Sequence, residues 1–176
     1  FSQSGLRDWM RAKGPVRRFA VLRHPLLRAF AAFEQLMGPE GDPELRRLLA
    51  KSHKVMVADP ALLEEQRAGF AAFLKFLRAN LNGQTAVRGE TGWASQTAFL
   101  QGIQQFLPCD LLAREERLGA DLAHLCAALG LACPALPAEP DPLAARLAAL
   151  HDDRLEALAR QAYARDYLNF GFGDWA

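Results

Sequence analysis

Arg17-Arg18-Phe19-Ala20-Val21-Leu22-Arg23-His24-Pro25-Leu26-Leu27-Arg28-Ala29-Phe30-Ala31-Ala32-Phe33 sets the fold class. A short apolar run with charges at both ends fits a buried parallel strand better than an amphipathic helix. Pro25 can then occupy the first helical position, and Leu26, Leu27, Phe30, Phe33, Leu36 and Met37 fall on one face until Gly38-Pro39 ends the helix. The unit is strand, tight turn, helix. Upstream, Leu6, Trp9 and Met10 mark a short helix over residues 5–13, stopped by Gly14-Pro15. Downstream, residues 109–113 repeat the strand pattern, and Leu118 to Leu129 forms a helix with Gly130 at C′. Two strand-then-helix units point to an α/β protein with a small parallel sheet covered by helices, although the helical excess leaves an all-α fold open.

The rest of the chain reads as helix. Residues 43–50 form a short helix, and residues 51–58, which include His53, carry no assignable pattern. Asp59-Pro60 supplies an N-cap and an N1 proline for a helix reaching about Ala79, with Leu62, Leu63, Phe70, Phe73, Leu74 and Leu77 on its apolar face. A polar loop follows to Gly92. Residues 93–106 are partly helical, and Pro108 breaks the run. Pro134 to Pro140 is a stiff connector, Asp141-Pro142 opens a helix to about Leu150, and a last helix spans Asp152 to about Leu168. The aromatic ending, Phe170 to Trp175, is expected to pack back on the body.

The chain has 176 residues, 51% of them hydrophobic, so its length argues for one domain with one sizeable core. Charge is nearly balanced at +1, which gives no basis for a nucleic-acid trap or an acidic disordered tail. The balance is uneven along the chain. Between Phe1 and Phe33 seven basic residues face one acid, Asp8, and that stretch can meet an anion. Cys109, Cys126 and Cys133 have neither CxxC spacing nor a histidine at ligand distance, so they read as reduced thiols rather than a disulfide framework or a metal site. No run reaches the ~18 apolar residues of a membrane span, and no signal-peptide pattern opens the chain, so a cytoplasmic location is expected. The sequence starts with Phe rather than Met, in mid-helix, which places the expected native N-terminus elsewhere.

A strand that delivers Arg23 to its carboxyl end, with a helix N-terminus directly after, combines guanidinium, backbone N–H groups and helix dipole in one anion site. This segment resembles the second nucleotide-binding element of sulfotransferases that use 3′-phosphoadenosine 5′-phosphosulfate (PAPS), in the carbohydrate and bacterial nodulation-type branch. The family pattern there is a strand followed by R-[DHN]-P-x-x-R-x-x-S-x-[YF], which Arg23, Pro25, Arg28 and Phe33 match. The resemblance implies that Arg23 holds the 3′-phosphate and that Arg28 supports the strand or the phosphate surroundings. The family's serine position is Ala31 here, one hydroxyl fewer. Gly92-Trp93-Ala94-Ser95-Gln96 is similar to the family's H-W-x-P-Q, without the histidine and proline. Residues 112–122 resemble its R-x-E-x-L-x-x-D-L element, followed by Leu129-Gly130-Leu131. Residues 163–172 resemble its closing Y-x-x-D-[FY] segment.

The resemblance implies a helix-rich, P-loop-like three-layer α/β domain over residues 1–176. It also implies transfer of a sulfonate from PAPS, without a metal, to a hydroxyl of a carbohydrate or glycolipid. The family's K-[AST]-[GA]-[GCS]-T-S loop for the 5′-phosphosulfate has no match here, and the first strand and that loop are expected upstream of Phe1. Such a transfer needs a base for the acceptor hydroxyl. His53, in the irregular segment, is the preferred candidate and Glu90 its rival. Trp93 can serve as a stacking platform for substrate or as core. His24 reads as a turn residue or secondary anion contact, His124 as structural, His151 as a helix cap, and Glu116 and Asp121 as structural, pairing with Arg114 or capping the following helix. Two alternatives stand beside the enzyme: a degenerate nucleotide- or glycan-binding module, and a helical interaction domain without ligand. A small-molecule kinase lacks any Walker-type motif to support it.

Overall fold

A computed structural model describes residues 3–13, 17–104, 109–136 and 141–175. Gly14-Pro15, the 105–108 segment with Pro108, and Pro137 to Pro140 lie outside the described residues. The chain divides into two compact units that are each discontinuous: Phe1–Leu22 with Leu100–Leu136, and Arg23–Phe99 with Pro137–Ala176.

The first unit holds helix α1 (Gln3–Lys13) and the sheet, made of β1 (Phe19–Leu22) and β2 (Leu111–Arg114). The strands are parallel, in the register Phe19 to Leu111 through Leu22 to Arg114. Asp110 fixes that register. Its N–H donates to the Arg18 carbonyl (2.7 Å), and its carboxylate accepts from the Arg18 N–H (2.8 Å). This backbone bond comes first, and with the Arg18 and Arg17 guanidinium groups it holds the Asp110 carboxyl below its ordinary pKa. At the far end of β2, the Arg114 N–H donates to Asp121 Oδ2 (2.8 Å) and the Arg114 guanidinium meets Glu116 (3.3 Å), so both acids have the structural role expected of them. Helix α6 (Leu118–Leu129), counted in chain order, packs on β2 and leaves His124 exposed.

The second unit is helical. Helix α2 (Pro25–Met37) keeps both expected boundaries, proline at its start and Gly38 at its end. Helix α3 (Pro43–His53) is capped by Asp42 and runs three residues further than the sequence suggested, stopping at Lys54 in the left-handed region. Helix α4 (Leu63–Leu81) starts later than expected. Asp59 does not cap it but builds the turn before it: its carboxylate accepts from the Ala61 backbone N–H (2.8 Å) and its carbonyl from the Leu62 N–H (3.1 Å). Helix α5 (Gln96–Gln104) follows the polar loop. Helix α7 (Pro142–Leu150) has Asp141 as N-cap and His151 as C-cap.

The predicted last helix is two, α8 (Asp153–Ala162) and α9 (Ala164–Phe170), broken at the fully buried Tyr163. Helix α4 packs on α2, α3, α7 and α8. Phe30, Phe33, Phe70, Phe73, Phe76 and Trp93 form a continuous aromatic core there, with neighbouring ring centroids 5.2 to 6.4 Å apart. The aromatic ending folds back as expected: Phe172 is buried against His24 and Tyr167, and Trp175 meets His151.

At Gly69, α4 passes close against residues 56 and 57. A Cβ there would stand 2.6 Å from the Met56 carbonyl oxygen and 2.9 Å from Val57 Cγ2. Alanine normally gains about 1 kcal/mol over glycine in a helix, whereas overpacking costs about 1–3. Gly69→Ala is therefore expected to destabilise by roughly 1 kcal/mol or more, read as a lower urea midpoint.

Candidate functional site

Arg23 follows β1 in the chain, and its own unit holds its backbone tightly. The Arg23 N–H donates to Gln96 Oε1 (3.0 Å), and Gln96 Nε2 donates to the Arg23 carbonyl (2.9 Å). One carboxamide thus grips both polar groups of one peptide residue. Gln96 is itself fixed because its N–H donates to the buried Asp166 carboxylate at 2.8 Å. Asp166 also accepts from the Thr97 N–H (2.8 Å) and the Ser95 hydroxyl (2.6 Å). A carboxylate at the start of α5 meets its unpaired N–H groups and favours the positive end of its dipole.

His24 caps α2. Its Nδ1 accepts from the Leu26 N–H (3.3 Å) while Nε2 lies 3.2 Å from the Gly173 carbonyl, an arrangement satisfied by the neutral Nε2–H tautomer. The ring is further held edge-on between Tyr167 and Phe172. The Arg23 guanidinium, about one-third exposed, has Asp141 at 3.9 Å, and Asp141 at the same time caps α7. A partly exposed cation on a locked backbone beside a helix N-terminus can bind an anion, with Asp141 as its competitor.

The Arg28 guanidinium is engaged by the backbone, donating to the carbonyls of Ala94 and Thr91, the latter at 2.8 Å. Burial lowers its pKa, opposed by the nearby Tyr163 and Asp166. Trp93 is core and not a platform. Its ring lies edge-on to Phe73 and Phe76, its Nε1 donates to Asn80 Oδ1 (3.1 Å), and its carbonyl accepts from the Tyr163 hydroxyl (2.8 Å). That burial pushes the Tyr163 hydroxyl far above its ordinary pKa. Ala31 is half-buried on α2.

Neither base candidate belongs to this network. His53 ends α3 with its ring 4.9 Å from Phe76, and Glu90 is exposed on a cleft of about 340 Å³ that Glu40, Asp42 and Trp93 also line. A larger groove, about 810 Å³, lies between Phe33, Met37 and Val55 and the arginines 46, 47 and 146.

The structure therefore joins three of the segments singled out in the sequence, at residues 23–28, 93–97 and 163–167, through hydrogen bonds. Two residues central to that junction, Gln96 and Asp166, had no role assigned from sequence. An acid at helical spacing between Tyr163 and Tyr167, on a face otherwise apolar, is the signal that identifies Asp166. Local sequence marks Asp141 only as the start of a helix, because its second neighbour is 118 positions away in the chain. No family model, curated protein or solved structure matches this chain.

Proposed function

We propose that this chain is a PAPS-dependent sulfotransferase domain in which Arg23 and the first turn of α2 receive the 3′-phosphate of the nucleotide. The carrying observation is the double hydrogen bond from Gln96 to the Arg23 backbone. It presets the arginine that the resemblance singles out, and preset donors lose less entropy when an anion arrives. Support also comes from the way residues of the H-W-x-P-Q-like and closing Y-x-x-D-like segments build that grip. PAPS would supply an activated sulfonate for a hydroxyl acceptor, a carbohydrate or glycolipid by resemblance. On this reading the fold is the P-loop-like one, and the residues for the 5′ end of the donor are not among these 176.

A second reading, a nucleotide-binding module without catalysis, is favoured by Ala31 in place of the hydroxyl residue, by Asp141 beside Arg23, and by the burial of Trp93. Calorimetric titration of the full-length protein with adenosine 3′,5′-bisphosphate tests the site common to both readings. Arg23→Ala is expected to weaken binding about tenfold to a hundredfold, the loss of one charge-assisted contact worth roughly 1.5 to 3 kcal/mol. Asp141→Asn is expected to tighten it by removing the competing charge. No binding by the intact protein would reject both readings, and binding without sulfonate transfer to any hydroxyl acceptor would leave the module.

A further inference from the structure

Cys126 lies on α6, four residues before the glycine that ends it. Gly130 has φ +65°, its N–H donates to the Ala127 carbonyl (3.2 Å), and the Leu131 N–H donates to the Cys126 carbonyl (2.9 Å). This pair of bonds is the Schellman arrangement, which turns the chain back after a helix. The returning segment runs beside α6 as far as Leu136, whose Cδ1 lies 3.9 Å from where a Cβ on Gly119 would stand. Along the helix, seven residues separate 119 from 126, about 10 Å at ~1.5 Å each. Along the returning chain, three residues separate 136 from 133, also about 10 Å when extended. The two cysteines therefore come level, side by side on the helix face that carries Gly119 and on the returning segment. Cys133 is exposed, with its Sγ also 3.7 Å from the Pro134 carbonyl, and Cys126 is half-buried. Burial, and then the neighbouring Cys133, push the Cys126 thiol up, which leaves Cys133 as the accessible partner.

We propose that Cys126 and Cys133 are a redox modification site, closed to an intramolecular disulfide by a hydroperoxide. The Cys133 sulfur attacks the peroxide oxygen, the O–O bond breaks, and sulfenic acid and an alcohol (water, for hydrogen peroxide) are formed. The Cys126 sulfur then attacks the sulfenic sulfur, the S–O bond breaks, and water leaves. The two thiols are oxidised by two electrons and the hydroperoxide is reduced by two. Closure ties the returning segment to the end of α6 and is reversible by a dithiol.

The test treats the full chain with hydrogen peroxide, blocks remaining thiols with N-ethylmaleimide, and weighs the tryptic peptides. Both cysteines fall in the peptide 118–146, which has no internal Lys or Arg. That peptide is expected to lose two hydrogens and take no label, while Cys109 stays labelled, and dithiothreitol is expected to restore both sites. Cys109→Ser is expected to leave the pairing intact. In Cys133→Ser, Cys126 is expected to remain labelled. Over-oxidised Cys133 with Cys126 still labelled, or disulfides formed only between chains, would overturn the proposal.

Discussion

Asp166→Ala is expected to lower the thermal midpoint by about 6 to 12 °C, because it strips the acceptor from three donors at once. The Ser95 hydroxyl and the N–H groups of Gln96 and Thr97 all point at this fully buried carboxylate. A helix cap alone is worth about 1 kcal/mol, and leaving buried donors unpaired adds the cost of their desolvation, about 1 to 3 kcal/mol each but far from additive. A total of roughly 3 kcal/mol is reasonable, at ~2–4 °C per kcal/mol for a chain of this size. Asp166→Asn keeps one acceptor oxygen and is expected to lose less. Differential scanning calorimetry orders the three proteins; equal midpoints for Ala and wild type would remove Asp166 from the framework. Because Gln96 connects Asp166 to Arg23, the alanine variant is also expected to bind adenosine 3′,5′-bisphosphate more weakly on the proposed reading.

A still larger loss, about 3 to 5 kcal/mol, is expected for Phe73→Ala. Phe73 is fully buried and touches rings on three sides: Phe33 at 5.7 Å, Phe76 at 5.9 Å and Trp93 at 5.9 Å between centroids. Truncation removes the apolar area of one ring and leaves a cavity that three other rigid rings cannot fill by small movements. Phe73→Leu retains part of that volume and is expected to cost less. Urea titration separates this from a change of the denatured state: the midpoint should fall while the slope stays the same. A cost for Phe73→Ala below about 1 kcal/mol would mean that the aromatic cluster is not the centre of this unit's core.

The legible parts of the fold are those governed by local chemistry. Pro25 and Gly38 bound α2, Asp141-Pro142 starts α7, and Gly130 ends α6, because cap and proline preferences act within a few residues. The misplaced boundaries have tertiary causes. Apolar spacing continues smoothly through Tyr163, so nothing in the local pattern announces a break. It arises where the buried Tyr163 hydroxyl reaches the carbonyl of Trp93, 70 positions earlier. The site divides in the same way. Arg23 was recognisable from the strand, arginine and proline around it, whereas the destination of Arg28 depends on carbonyls 63 and 66 positions away. Trp93 was ambiguous because an indole serves equally well in a core and against a ligand, and only its neighbours decide.

The chain passes from one unit to the other after Leu22, after Phe99 and after Leu136. During synthesis, the long helix α4 leaves the ribosome well before α7 and α8, which cover it. Phe70, Phe73, Leu74 and Leu77 must therefore wait, partly uncovered, while about eighty further residues are translated, some four to sixteen seconds at ~5–20 residues per second. That interval is a window for chaperone capture or misassociation. It also means that no fragment ending before the last two helices of the bundle can serve as a minimal expression product of the second unit.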